Sequence, residues 1–163
     1  MPSKRFSLHQ RRGTKSRRPK YHLDRITEER RSENMRRIRS KDTAPELIVR
    51  RLVHSIGFRY RLHDHKLPGR PDLVFRRLKR VIQVHGCFWH GHEGCPGGHL
   101  PTTRREYWEP KLERNKARDE ENKKRLRELG WRSLTIWECE TRKTKVLTRR
   151  LKAFLTKPAL VGL

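Results

Sequence analysis

Cysteine is scarce in this chain: 163 residues carry three. So small and odd a number cannot build a disulfide framework. Two of them lie among histidines, which favours metal ligation in a reducing compartment. Acidic residues are also few, 18 Asp and Glu against 43 Lys and Arg, for a formal net charge of +25. A small domain needs a net charge of only about 2 to 8 for solubility, so the excess implies a polyanionic partner. No run approaches the roughly 18 apolar residues of a membrane helix, and the first residues lack the apolar stretch of a secretory signal. The expectation is a cytoplasmic protein held near nucleic acid, with no membrane partner. Hydrophobic residues make up only 32%, yet four Trp, five Phe and recurrent aliphatic runs suffice for a modest core, which excludes wholesale disorder. At about 100 to 200 residues per domain, the length allows one domain and excludes a multidomain machine.

Residues 1–24 are basic and almost without aliphatics, so they cannot offset their ordering entropy and should form a mobile tail. The folded domain is expected over 25–158, with 159–163 as a short end. Thr43-Ala-Pro-Glu46 has the spacing of a capping box with proline in the first helical turn. Ala44, Ile48, Leu52 and Ile56, widened by Leu47 and Val53, predict an amphipathic helix that Gly57 can end. Alternation at Phe58, Tyr60 and Leu62, then Asp72–Phe75 and Val81–Val84 about a basic turn, predicts three strands. Acid-before-base pairs at Asp119/Lys123, Glu120/Lys124 and Glu121/Arg125 predict an exposed helix over 108–129, which Gly130 stops. A strand at Leu134–Trp137 and a helix at Val146–Leu155 follow. This order gives an α/β fold with a mixed central sheet flanked by helices.

Two constellations carry chemistry. Asp72 enters one strand after Pro71, and Gln83-Val84-His85 closes the next, so a short antiparallel turn brings them together. A carboxylate among polar groups at a sheet edge can hold Mg²⁺ beside phosphate oxygens, the layout of a metal-dependent nuclease. Asp after Pro is also an ordinary turn residue, and the pattern alone leaves both readings open. The second constellation is His85-Gly-Cys87-Phe88-Trp89-His90-Gly-His92-Glu-Gly-Cys95, joined at a distance by Cys139. Three Cys and one His make a closed tetrahedral zinc site. His92 is the best-placed fourth ligand and His99 its competitor; alternatively Cys139 is a buried apolar residue and the loop binds nothing. His85 and His90 are then free to take or donate protons near neutral pH, unless one of them completes the zinc shell. Phe88, Trp89 and Trp108 are either core or apolar wedges that unstack DNA. Met35 and Ile38, one turn apart in a basic segment, could insert from the other groove or pack on the domain.

Arg31-Ser-Glu-Asn-Met-Arg36, Gly69-Arg-Pro-Asp72, His85-Gly-Cys-Phe-Trp-His90, Glu128-Leu-Gly-Trp-Arg132 and Ile136-Trp-Glu-Cys139 together resemble the very short patch repair (Vsr) endonucleases. The resemblance spans about residues 31–142. It implies a restriction-endonuclease-like fold with a structural zinc, and nicking of one strand of double-stranded DNA 5′ to the mispaired T of a T:G mismatch left by 5-methylcytosine deamination. By matched position it makes Asp72 the catalytic Mg²⁺ ligand, helped by the main-chain carbonyl of Val84. Gln83 stands where many related nucleases carry a metal-binding acid and is allowed as an auxiliary ligand. The resemblance assigns His85 and His90 to attack and phosphate stabilisation, Asp119 to support of an imidazole, and Glu46 to the active site. Cys87, His92, Cys95 and Cys139 would hold zinc. Phe88, Trp89 and Trp108 would form the inserted wedge, opposed by Met35 and Ile38. A monomer fits asymmetric nicking, with repair proteins or a cytosine methyltransferase as candidate partners. The competing functions are a sequence-specific restriction endonuclease on the same scaffold and a non-catalytic zinc module that binds nucleic acid.

Overall fold

The computed structural model describes residues 27, 29, 30, 33, 36, 41–102 and 104–157. The expected basic tail and the Met35/Ile38 pair lie outside them. Helix α1 (Ala44–Ser55) leads to strands β1 (Arg61–Leu62), β2 (Leu73–Phe75) and β3 (Arg80–His85). Helix α2 (Arg105–Glu128) then carries the chain over to β4 (Arg132–Trp137), and α3 (Thr144–Thr156) closes the domain. The sheet order is β1-β2-β3-β4, antiparallel up to β3 and parallel between β3 and β4. This is the mixed α/β architecture that the element order predicts.

Strand alternation distributes the core between two layers. Leu73, Phe75, Ile82 and Ile136 face Val49 and Val53 of α1 and Leu147, Leu151 and Leu155 of α3. Their neighbours Val74 and Val81 face the opposite way, onto Leu126 of α2 and Trp131. The register sets Leu73 against Ile82 and Val74 against Val81, so each cross-strand pair stays on one face. The same period continued along β3 carries Gln83 and His85 to the α2 side, and this places the functional groups.

Helices α1 and α2 end alike. The amides of Phe58 and Gly57 bond the carbonyls of Val53 and His54, and those of Trp131 and Gly130 bond Leu126 and Arg127. These are Schellman turns, with Gly57 (φ +89°) and Gly130 (φ +74°) in the left-handed conformation that suits glycine. In each, the following aromatic packs on the core, which aims the chain into the sheet.

Four local expectations are corrected. The Thr43 hydroxyl bonds the Glu46 side chain (2.9 Å) instead of capping a helix amide, while Glu46 Oε2 accepts the Asp42 amide (3.0 Å). The buried line of α1 is Glu46, Val49, Arg50 and Val53, with Ala44 and Leu47 exposed, because an ion pair takes places that hydrophobicity alone gives to aliphatics. Strand β1 keeps only Arg61–Leu62, since Phe58 and Tyr60 turn their rings edge-on to Phe75. Asp119 is buried and bonds a histidine, whereas Lys123, its expected partner, pairs with Glu120 (2.7 Å).

Candidate active site and metal centre

A cleft of about 750 Å³ opens where β2 begins and β3 ends, lined by Glu46, Asp72, Gln83, Val84, His85, His90 and Asp119. It gathers every residue of the expected catalytic group from α1, β3, α2 and the loops between them. Asp72 Oδ2 accepts the Val84 amide at 2.7 Å. An extended residue turns its N–H and C=O to the same side, so the Val84 carbonyl borders Asp72 too. Burial pushes the Asp72 carboxyl up to about 6, against the pull of the Val84 amide, and the charge of Glu46 raises it further. Gln83 is buried, and its Oε1 has no hydrogen-bond partner among the described residues. A buried acceptor without a donor, in the same cleft as an ionisable carboxylate, fits a cation or a polar ligand.

The histidines form a second wall. The His85 and His90 rings stack at 3.8 Å. Asp119 Oδ2 lies 2.5 Å from His90 Nδ1 and 3.9 Å from His85 Nδ1. Burial, aided by the neighbouring His90, pushes His85 down to about 4, so its ring is neutral in ordinary buffers. Burial would raise Asp119, but the His90 hydrogen bond and nearby positive charge hold it below its usual range. One carboxylate thus orients His90, which leaves its Nε2 for chemistry.

Across Trp137 lies a third group. The Trp137 ring stacks on His92 (4.1 Å, 4° between planes) and meets His85 edge-on at 5.5 Å. Ligand atoms of Cys87, His92, Cys95 and Cys139 all lie within 4.8 Å of one another. His92 Nδ1 is 3.6 Å from Cys87 Sγ and 3.5 Å from Cys139 Sγ. His99 instead turns Nδ1 to the carbonyls of Cys95 and Pro96, both at 3.1 Å. Burial pushes the Cys87 thiol up to about 12, so any cation held there would have to displace its proton. Gly98 lets the turn after Cys95 close over His92; a Cβ there would lie 2.0 Å from the His92 carbonyl oxygen.

Phe88, Trp89, Trp108 and Tyr107 make one aromatic cluster, with Phe88 5.1 Å from both Trp89 and Trp108. Trp108 is buried at its base, Phe88 and Trp89 are half-buried and Tyr107 is exposed. Lys111 Nζ sits over the Trp89, Tyr107 and Trp108 rings at 5.7, 5.1 and 5.4 Å.

Comparison with known proteins gives this arrangement a family. Residues 23–95 match the model of the DNA mismatch endonuclease Vsr. The chain is 50% identical over 132 residues to a type II nicking enzyme, V.XorIIP, of Xanthomonas oryzae pv. oryzae, covering 81% of this chain and 96% of the relative. It is 46% identical over 118 residues to the DNA mismatch endonuclease Vsr of Escherichia coli K12, covering 72% and 75%. It is 39% identical over 128 residues to the type II nicking enzyme V.NmeAIP of Neisseria meningitidis, covering 78% and 91%. The chain belongs to the Vsr family of DNA mismatch endonucleases.

As a Vsr-family enzyme it acts on DNA, and no described helix is long and apolar enough to cross a membrane. Its site also holds residues that sequence reasoning passed over. Arg50 bonds Glu46 (3.0 Å) and Asp42 (2.5 Å) and sits 3.0 Å from His63, which lies beside Asp72. Arg50 is hidden by its place on a helix read as aliphatic-faced, and His63 by a turn of unremarkable composition. Trp137 could have been found from Ile136-Trp-Glu-Cys139, since a Trp two residues before a Cys of the four-residue cluster must lie near that cluster.

Proposed function

We propose that this Vsr-family chain nicks one strand of duplex DNA 5′ to the mispaired T of a T:G mismatch, with Mg²⁺ at Asp72 and a structural zinc at the cysteines. The observation that carries the reading is the single cleft in which Asp72, its Val84 partner and the His85–His90–Asp119 group face one another. Asp72 and the Val84 carbonyl are hard oxygen donors suited to Mg²⁺, and the orphaned Gln83 oxygen supports an auxiliary place in the same shell. Three thiolates and an imidazole are the soft tetrahedral set suited to zinc. A divalent ion at Asp72 supplies charge neutralisation at the phosphate and a more acidic water.

The chain's own residues supply the rest. His90, oriented through Nδ1 by Asp119, presents Nε2 to take a proton from water or return one to the leaving oxygen. His85, neutral and stacked on it, sets a second imidazole in the same wall of the cleft. Glu46, fixed by Arg50, adds a buried carboxylate to the cleft wall. Phe88 and Trp89, backed by Trp108, form the wedge that enters the base stack; unstacking costs a few kcal/mol and least at a mispair. Met35 and Ile38, outside the described residues, take the opposing groove in this reading.

Asp72→Ala tests the assignment. It should lose nicking of a T:G duplex in Mg²⁺ while binding that duplex like the parent in a mobility shift; full nicking by the variant contradicts it.

A further inference from the structure

The sheet register sets Leu62 against Leu73, and continued by one residue it sets His63 against Asp72. His63 addresses Asp72 twice. Its amide donates to the Asp72 carbonyl (3.4 Å), and its Nδ1 stands 3.8 Å from Asp72 Oδ1. On the far side of the ring, His63 Nε2 is 3.0 Å from Arg50 Nη2, the same nitrogen that donates to Glu46. A guanidinium only donates. Nε2 must therefore accept, which puts the ring proton on Nδ1, facing the carboxylate. The other Asp72 oxygen, Oδ2, is already held by the Val84 amide. His63 keeps this place at φ +47°, a left-handed conformation uncommon outside glycine, and such outliers gather at functional sites.

We propose that His63 is a positioning residue for Asp72: its ring, aimed by Arg50, sets the turn of the carboxylate and so the affinity for the divalent ion. The inference rests on Asp72 being the ligand of that ion. Arg50 thereby ties Glu46 on α1 to Asp72 on the sheet through one imidazole, a connection from two elements that the mechanism above does not use. Partners that orient metal ligands in this way typically contribute about 10- to 100-fold in metal affinity.

The test is Mn²⁺ binding by the full chain, read from the paramagnetic resonance of free Mn²⁺, for the parent, His63→Gly, His63→Gln and Asp72→Ala. Glycine is at home at φ +47° and removes the ring without straining the fold. Glutamine can accept from Arg50 and donate to Asp72 with one amide. His63→Gly should bind Mn²⁺ about 10- to 100-fold more weakly, and His63→Gln should recover most of that loss. In nicking, His63→Gly should need more Mg²⁺ for half its maximal rate, yet approach the parent rate at saturation, a split that a general structural defect does not produce. Unchanged Mn²⁺ affinity in His63→Gly, or a His63→Gln no better than His63→Gly, overturns the proposal. If Asp72→Ala binds Mn²⁺ like the parent, the metal assignment itself fails; if it loses binding while His63→Gly keeps it, only the role of His63 falls.

Discussion

At the scale of single residues, the carboxylate proposed to hold the catalytic ion is one the fold would rather protonate. Burial holds Asp72 near 6 where an unfolded aspartate sits near 3.8. The folded state therefore binds this proton more tightly than the unfolded state, and the stability this gives is full below about 4 and lost as pH rises through 6. Above that, the ionised group costs up to about 3 kcal/mol, two pKa units at about 1.4 kcal/mol each. Asparagine keeps the shape and drops the charge. Without added Mg²⁺, Asp72→Asn should thus melt at a higher temperature than the parent at pH 7.5, with the gain shrinking towards pH 4.5; calorimetry at the two pH values checks it. Asp119 is the opposite case: burial would raise its carboxyl, but the His90 hydrogen bond holds it below the usual range. The i,i+4 spacing of α2 reads it as one more solvated acid, and only the fold turns it inward to His90. Asp119→Asn should lower the nicking rate by about 100-fold or more, the scale of a lost acid–base partner, with duplex binding unchanged; single-turnover kinetics measure it.

At the scale of elements, period 2 along β3 decides most of the site. Val81, Gln83 and His85 share the α2 face, so the strand that supplies core also delivers an amide and an imidazole to the cleft. Strands, helices and their order were legible because apolar spacing and glycine stops determine them, as at Gly57 and Gly130. The α1 face was not, because Glu46 and Arg50 are buried as a pair, and no hydrophobicity pattern anticipates an ion pair in a core position. The cysteine loop was legible from ligand types, and spacing already favoured His92 over His99; the fold brings the His92 ring to the cysteines and turns His99 to backbone carbonyls. The turn after Cys95 gives a prediction of its own. Gly98→Ala must push the Cys95 segment off the His92 backbone, so the purified variant should carry far less zinc than the parent by mass spectrometry and melt earlier. Equal zinc content would show that the loop tolerates the clash.

At the scale of the whole molecule, +25 of net charge on 163 residues acts as a general capture surface for duplex. Counterion release makes such capture fall steeply with salt, by about 1000-fold or more between roughly 50 and 200 mM when six or more phosphates are contacted. Phosphate contacts read no bases. Anisotropy titrations should therefore show matched and T:G duplexes weakening in parallel, with their ratio little changed. In the proposed reading, discrimination falls to the aromatic cluster and cutting to the cleft. The most direct test of the account is strand-specific nicking of end-labelled duplexes, T:G-mismatched and fully paired, with and without Mg²⁺. The account predicts one Mg²⁺-dependent nick, 5′ to the mispaired T and absent from paired duplex. Cleavage of both strands of paired DNA, or a nick that persists without any divalent ion, would contradict it.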